Sequence, residues 1–149
     1  MVPQYLSLLL ADDDQDDCLF FKEALDELQV STQLTTVHDG EQLMLYLTKK
    51  TTILPNILFL DLNMPRKNGL ECLAEIKLDK TLSKLPVIIF STSYDQKMIN
   101  LLYENGAQFY IRKPSDFTKL KIVIQRALVP AAGENTSQAA VENFVINSN

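Results

Sequence analysis

The chain has 149 residues, enough for one domain and little more. Nineteen acidic residues against fourteen basic ones leave a net charge of −5, which argues against a nucleic-acid partner, since that would need a basic patch. Apolar residues at 46% and charged ones at 22% are ordinary for a globular protein, and a domain of this size buries about 70% of its unfolded surface without help from a disulfide or metal. The two cysteines, Cys18 and Cys72, are too few and too far apart for a disulfide framework or a zinc site, and read as apolar fillers in a reducing cytosol. The start of the chain has no basic leader region, and no apolar run approaches the ~20 residues of a membrane helix. The expectation is a cytoplasmic single domain without a membrane or nucleic-acid partner.

Short apolar runs alternate with amphipathic stretches. Residues 5–11 are nearly all apolar and stop at Asp12-Asp13-Asp14. Residues 16–28 then follow a helical period, with Leu19, Phe20, Ala24 and Leu28 on the expected inner face. Residues 33–37 form a weaker strand pattern, and His38-Asp39-Gly40 is a turn with Asp39 as N-cap of a helix over 41–49, carrying Leu43, Met44 and Leu47. Residues 57–60 (ILFL) are wholly apolar and stop at Asp61, before a helix over 69–77 with Leu70, Leu73 and Ile76 inward. Residues 87–90 (VIIF) stop at Ser91-Thr92-Ser93, and a helix over 96–105 ends at Asn105-Gly106. Residues 108–111 stop at Arg112-Lys113-Pro114, and a last helix, capped by Ser115 or Asp116, covers 116–128.

Strands with continuous apolar runs are buried on both faces, so the pattern predicts a parallel five-stranded sheet between two helical layers, a doubly wound α/β fold. From residue 129 the chain reads as a separate tail: residues 130–138 are linker-like, and 141–146 form a short apolar patch. Fraying is the favoured reading of that patch, and docking on this molecule or on a second copy is the alternative.

In a parallel α/β sheet, functional groups collect at the carboxyl ends of the strands. Here those ends deliver Asp12, Asp13, Asp61, Ser91 and Lys113. Clustered carboxylates repel one another unless a cation sits among them. Lys113 offsets one charge, and the remainder suits a hard divalent ion such as Mg²⁺. A carboxylate beside such an ion can attack phosphorus, and a neighbouring hydroxyl can bind the transferred group.

Four segments, Leu8 to Asp14 (LLLADDD), Phe59 to Gly69 (FLDLNMPRKNG), Phe90 to Ser93 (FSTS) and Tyr110 to Pro114 (YIRKP), resemble in order and spacing the receiver domain of two-component response regulators. The resemblance runs from about residue 6 to 128 and implies a flavodoxin-like (βα)5 fold of strand order 2-1-3-4-5. It implies Asp61 as phosphoacceptor and Asp12 and Asp13 as acid pair. Mg²⁺ would be held by Asp13, Asp61 and the Asn63 backbone carbonyl, with Asp12 acting through water. Lys113 would pair with the phosphoryl group, Ser91 and Tyr110 would be the switch residues, and the Lys113–Pro114 peptide would be cis. The partner implied is a sensor histidine kinase. The stretches 66–69, 76–79 and 91–93 further resemble stand-alone receivers, some of which serve phytochrome-type kinases. Output would pass through the fourth helix, fifth strand and fifth helix, through exposed residues near Lys97, Ile99, Tyr103, Tyr110 and Lys119, to a homodimer, with the tail contributing, or to a partner protein. The 21 residues after 128 are too few for a DNA-binding output domain.

Plainer readings apply elsewhere. Asp14, Asp16 and Asp17 suffice as helix-start charges. His38 reads as a surface residue, and Arg66 and Lys67 as solvated loop charges. An aspartyl-phosphate phosphohydrolase would place a general-acid Asp where Asn63 stands. A phosphorylation-independent binding module would have lost the acceptor or the acid pair. A flavodoxin-type electron carrier would not put an aspartate run where a cofactor phosphate must sit.

Overall fold

The computed structural model describes residues 5–132, 138 and 140–148. Strands β1 (Leu6–Ala11), β2 (Thr32–Val37), β3 (Ile57–Leu60), β4 (Val87–Ser91) and β5 (Phe109–Arg112) alternate with helices α1 (Gln15–Glu27), α2 (Gly40–Thr48), α3 (Gly69–Leu78), α4 (Gln96–Glu104) and α5 (Phe117–Ala132). A sixth strand, β6 (Val145–Ile146), follows a single 3₁₀ turn at Val141–Asn143. All pairings are parallel, and the order is β2-β1-β3-β4-β5-β6. The expected 2-1-3-4-5 sheet is present, extended by one strand.

The central strands bury side chains on both faces. On one face, Leu9, Leu58, Leu60, Val87 and Ile89 pack with Leu43, Leu47, Leu73, Ile76 and Leu102 from α2, α3 and α4. On the other, Leu8, Leu10, Phe59, Ile88 and Phe90 pack with Phe21, Leu25, Ile124 and Ala127 from α1 and α5. Phe21 meets Phe59 and Phe90 edge-on, with ring centroids 4.8 and 5.4 Å apart. The start signals read from sequence hold. Asp39 accepts the Gln42 amide, and Asp116 accepts that of Lys119. Asn68 and Glu71 form a reciprocal capping box at α3. Gly106 ends α4 at φ +92°, a conformation glycine adopts without strain.

Two features of the fold differ from the expectation. The inner face of α1 carries Cys18, Phe21, Ala24 and Leu25, while Leu19 and Phe20 are about half exposed. Four consecutive apolar residues (CLFF) fit a helical period in more than one register, and packing against Phe59 and Phe90 selects the one that buries Phe21.

The second difference concerns the tail. The apolar patch is not frayed. Val145 and Ile146 pair with Tyr110 and Ile111, and the Tyr110 amide donates to the Phe144 carbonyl. Phe144 is buried, with its ring 5.1 Å from that of Tyr103. Gln138 Nε2 donates to the carbonyls of Tyr103 and Ala107, and Arg126 donates to that of Asn147. Helix α5 runs on to Ala132. Residues 133–137 and 139, the middle of the expected linker, lie outside the described residues.

Candidate functional site

β1, β3, β4 and β5 all end on the same rim of the sheet, because parallel strands joined by right-handed crossovers share one direction. That rim gathers the polar residues that close the apolar runs. Asp12, Asp13 and Asp61 each offer a carboxylate oxygen, all within 4.8 Å of one another. Asp12 and Asp61 are buried and Asp13 is exposed. Lys113 reaches in from the end of β5, its side chain only 9% exposed. Its ammonium lies 2.8 Å from Asp12 Oδ2, 2.8 Å from Asp17 Oδ2 and 3.5 Å from Asp61 Oδ2.

The local backbone fixes these groups. Asp12 Oδ1 accepts the Asp14 amide at 2.9 Å, which sets the turn between β1 and α1. Asp14 accepts the amides of Asp16 and Asp17, so Asp14 is the cap of α1. Behind Asp61, Gly69 sits so close that a Cβ would fall 2.4 Å from the Asp61 carbonyl oxygen and 2.9 Å from the Leu62 Cα. The Gly69 amide donates to Leu62 O at 3.0 Å and closes the loop. Glycine is required there for close approach. The Asn63 amide faces Asp61 Oδ1 at 3.4 Å.

Burial raises the Asp61 pKa to about 6, Lys113 pulling it down and Asp12 pushing it further up. Burial raises Asp12 too, against the lowering effect of its bond to Lys113. For Lys113, burial alone would depress the ammonium, but its bonds to Asp12 and Asp17 and the charge of Asp61 outweigh it, and the pKa lies above the usual lysine range. The pocket therefore holds more negative charge than its one ammonium balances. A hard divalent cation would relieve that imbalance, with Asp12, Asp13 and Asp61 as the oxygen donors in place.

Ser91 ends β4, fully buried, and its Oγ accepts the Ser93 amide at 3.2 Å. Ser93 is a junction: its Oγ accepts from Asn63 Nδ2 at 3.2 Å, and its carbonyl accepts the Tyr110 hydroxyl. The structure thus links Asn63, Ser91 and Tyr110 through Ser93, to which the sequence assigned no role of its own. Tyr110 and Ile99, expected on an exposed output surface, are buried at 1% and 3%. Phe144 and β6 cover that side of β5, whereas Lys97 and Lys119 are exposed and Tyr103 is partly so. The Lys113–Pro114 peptide is trans, where the resemblance implied cis.

Asp17 is the site residue that sequence reasoning assigned elsewhere. The aspartate run gave no signal to single it out; in the structure Asp14 caps α1 and Asp17, one turn in, faces the rim. His38 is exposed as expected, with its Nδ1 3.2 Å from the Asp12 carbonyl. Arg66 is 64% exposed and lies 3.7 Å from both Asp39 and Glu41, and Lys67 pairs with Glu75. No helix among the described residues is long and apolar enough to cross a membrane.

Comparison with known proteins agrees with this geometry. The response regulator receiver domain family matches residues 8–125. The response regulator Rcp1 of Synechocystis sp. is 30% identical over 122 residues, covering 79% of this chain and 83% of that protein. An uncharacterized response regulatory protein of Vibrio parahaemolyticus is 34% identical over 122 residues, and the match spans 81% of this chain but only 47% of that longer protein. Among solved structures, the phosphorylated cyanobacterial phytochrome response regulator RcpA superposes with a TM-score of 0.80 at 31% identity, covering 88% of this chain and 96% of that one. The Mn²⁺-bound form of Rcp1 gives 0.77 at 28% identity, covering 91% and 99%. On the family match, these relatives and the rim geometry together, the chain belongs to the response regulator receiver domain family.

Proposed function

We propose that this receiver domain is a phosphorylation switch rather than a dedicated enzyme, and that Asp61 receives a phosphoryl group from a phosphohistidine on a sensor histidine kinase. The observation that carries this reading is the convergence of Asp12, Asp13 and Asp61 within 4.8 Å, with the Lys113 ammonium 3.5 Å from Asp61. An Asp61 carboxylate oxygen attacks phosphorus, the phosphorus–nitrogen bond of the donor breaks, and the imidazole leaves with the bonding electron pair. Bound Mg²⁺ would supply neutralising charge to the phosphoryl oxygens. Asp13, Asp61 and the Asn63 backbone carbonyl would hold it directly, and Asp12 through water. The Mn²⁺-bound form of Rcp1 supports a divalent ion here. Lys113 compensates the charge of the phosphorylated side chain, and the Ser91 hydroxyl donates to it.

Output follows from the bonds that leave Ser91. A phosphoryl group that draws Ser91 toward Asp61 disturbs the Ser93 amide, and with it the Ser93 carbonyl that holds Tyr110. Tyr110 is bonded through its amide to Phe144, so the change reaches the face formed by α4, β5 and α5, with the tail lying on it. That face would serve a homodimer or a partner protein. The likeness to RcpA, a phytochrome response regulator, favours a phytochrome-type kinase as donor, and membership of the receiver-domain family fits a cytoplasmic location. Asn63 at the general-acid position disfavours a phosphohydrolase. Incubation with acetyl phosphate and Mg²⁺ should add one phosphoryl group to the wild type and none to Asp61→Asn, while Asp13→Ala should weaken Mg²⁺ binding. Unchanged labelling of Asp61→Asn would move the acceptor elsewhere.

A further inference from the structure

Asp17 is not needed to cap α1, yet its carboxylate sits as close to the Lys113 ammonium as that of Asp12, 2.8 Å in each case. An ammonium has three protons to give. Two of its contacts are full-length charge-assisted bonds, to Asp12 and Asp17, and Asp61 receives the long one, at 3.5 Å. Asp12 and Asp17 differ in what losing the ammonium would cost them. The Asp12 side chain is fully buried, and releasing Lys113 would strand its charge; the Asp17 side chain is 32% exposed and water can take over.

We propose that Asp17 is a positioning residue that parks Lys113 away from the phosphoacceptor in the resting protein, so that the division of the ammonium between Asp17 and Asp61 sets how readily the site takes a phosphoryl group. The inference rests on the phosphoacceptor reading of Asp61. In the resting state the first turn of α1 holds the ammonium beside β1. When the charge on the Asp61 side chain grows, the bond to Asp17 is the one given up, because Asp17 alone of the two short-bonded carboxylates reaches solvent. Asp17 therefore opposes charging of the site without touching the reacting atoms.

The test is binding of Mg²⁺-beryllofluoride, a mimic of the phosphoryl group, to the full chain. Asp17→Asn should bind it about two- to five-fold more tightly than wild type, the scale expected of one part-exposed ion pair. Asp17→Ser should give the same sign. Asp16→Asn removes an equal charge from the same helical turn and should leave the affinity at the wild-type value. Mg²⁺ alone, titrated into the same proteins, should bind Asp17→Asn no more tightly than wild type, since losing a carboxylate cannot favour a cation. Unchanged or weaker beryllofluoride binding by Asp17→Asn overturns the proposal. So does an equal gain in Asp16→Asn, which would assign the effect to overall charge, or an equal gain for Mg²⁺ alone. If wild type binds no beryllofluoride with Mg²⁺ present, the phosphoacceptor reading itself falls and takes this inference with it.

Discussion

The rim at the ends of β1, β3 and β5 and the edge where β6 meets β5 are close neighbours built on opposite principles. The rim concentrates charge that folding alone would avoid: Asp12 and Asp61 are buried around one ammonium, and burial raises both their pKa values. The edge adds stability in the ordinary way, by burying Phe144 and pairing two residues of backbone. The contrast teaches that one region is stabilised by what it excludes from water, whereas the other tolerates an electrostatic cost that a bound cation would relieve.

The sharpest way to break the comparison is to remove the charge that holds the rim together. Lys113→Ala should destabilise the metal-free protein by about 3–5 kcal/mol at neutral pH, because Asp12 is left buried without its partner. Urea unfolding measures this, and a loss below about 1 kcal/mol would place the pair among weak surface bridges. At the edge, Phe144→Ala should cost about 3 kcal/mol, limited by the freedom of a terminal segment to detach. Amide exchange should quicken at Tyr110, whose amide donates to the Phe144 carbonyl, and leave β1 and β3 protected. Equal loss of protection across the sheet would mean that the edge is integral to the core.

What the sequence disclosed follows the same division. Asp12, Asp61, Ser91 and Lys113 were legible because each closes an apolar run, and parallel topology then brings such ends together. Asp17 was hidden because it lies in a run of aspartates, any of which serves a helix start. β6 was hidden because two residues carry no periodicity, and the apolar patch gains meaning only once Tyr103 and Tyr110 are seen to receive Phe144. The face of α1 was misread for a related reason: one-dimensional periodicity does not separate Phe20 from Phe21, and only the ring of Phe59 does so.

Two smaller effects refine the contrast. Asp61 has a pKa of about 6 in the fold against 3.8 for the unperturbed group, so between those values the native state binds more protons than the unfolded one. Its contribution to stability therefore falls as pH rises from about 4 to about 6, by roughly 1–3 kcal/mol in metal-free buffer. Asp61→Asn should flatten that slope and be the more stable protein at pH 7, read by thermal unfolding across the pH range. An unchanged slope would show that Asp61 is not the group under strain. Asp14→Ala removes the cap of α1 and should cost about 1 kcal/mol by urea unfolding, with no change at the β6 edge.

The central claim is that residues far apart in sequence form one pocket that takes a cation and a phosphoryl group at Asp61. Titration of the isotopically labelled full chain with Mg²⁺ and beryllofluoride, followed amide by amide, tests it directly. The account predicts saturable shifts centred on residues 12–13, 61–63, 91–93 and 113, spreading through Tyr110 to 144–146, and their loss in Asp61→Asn. Shifts that never saturate, that centre elsewhere, or that persist in Asp61→Asn would contradict it.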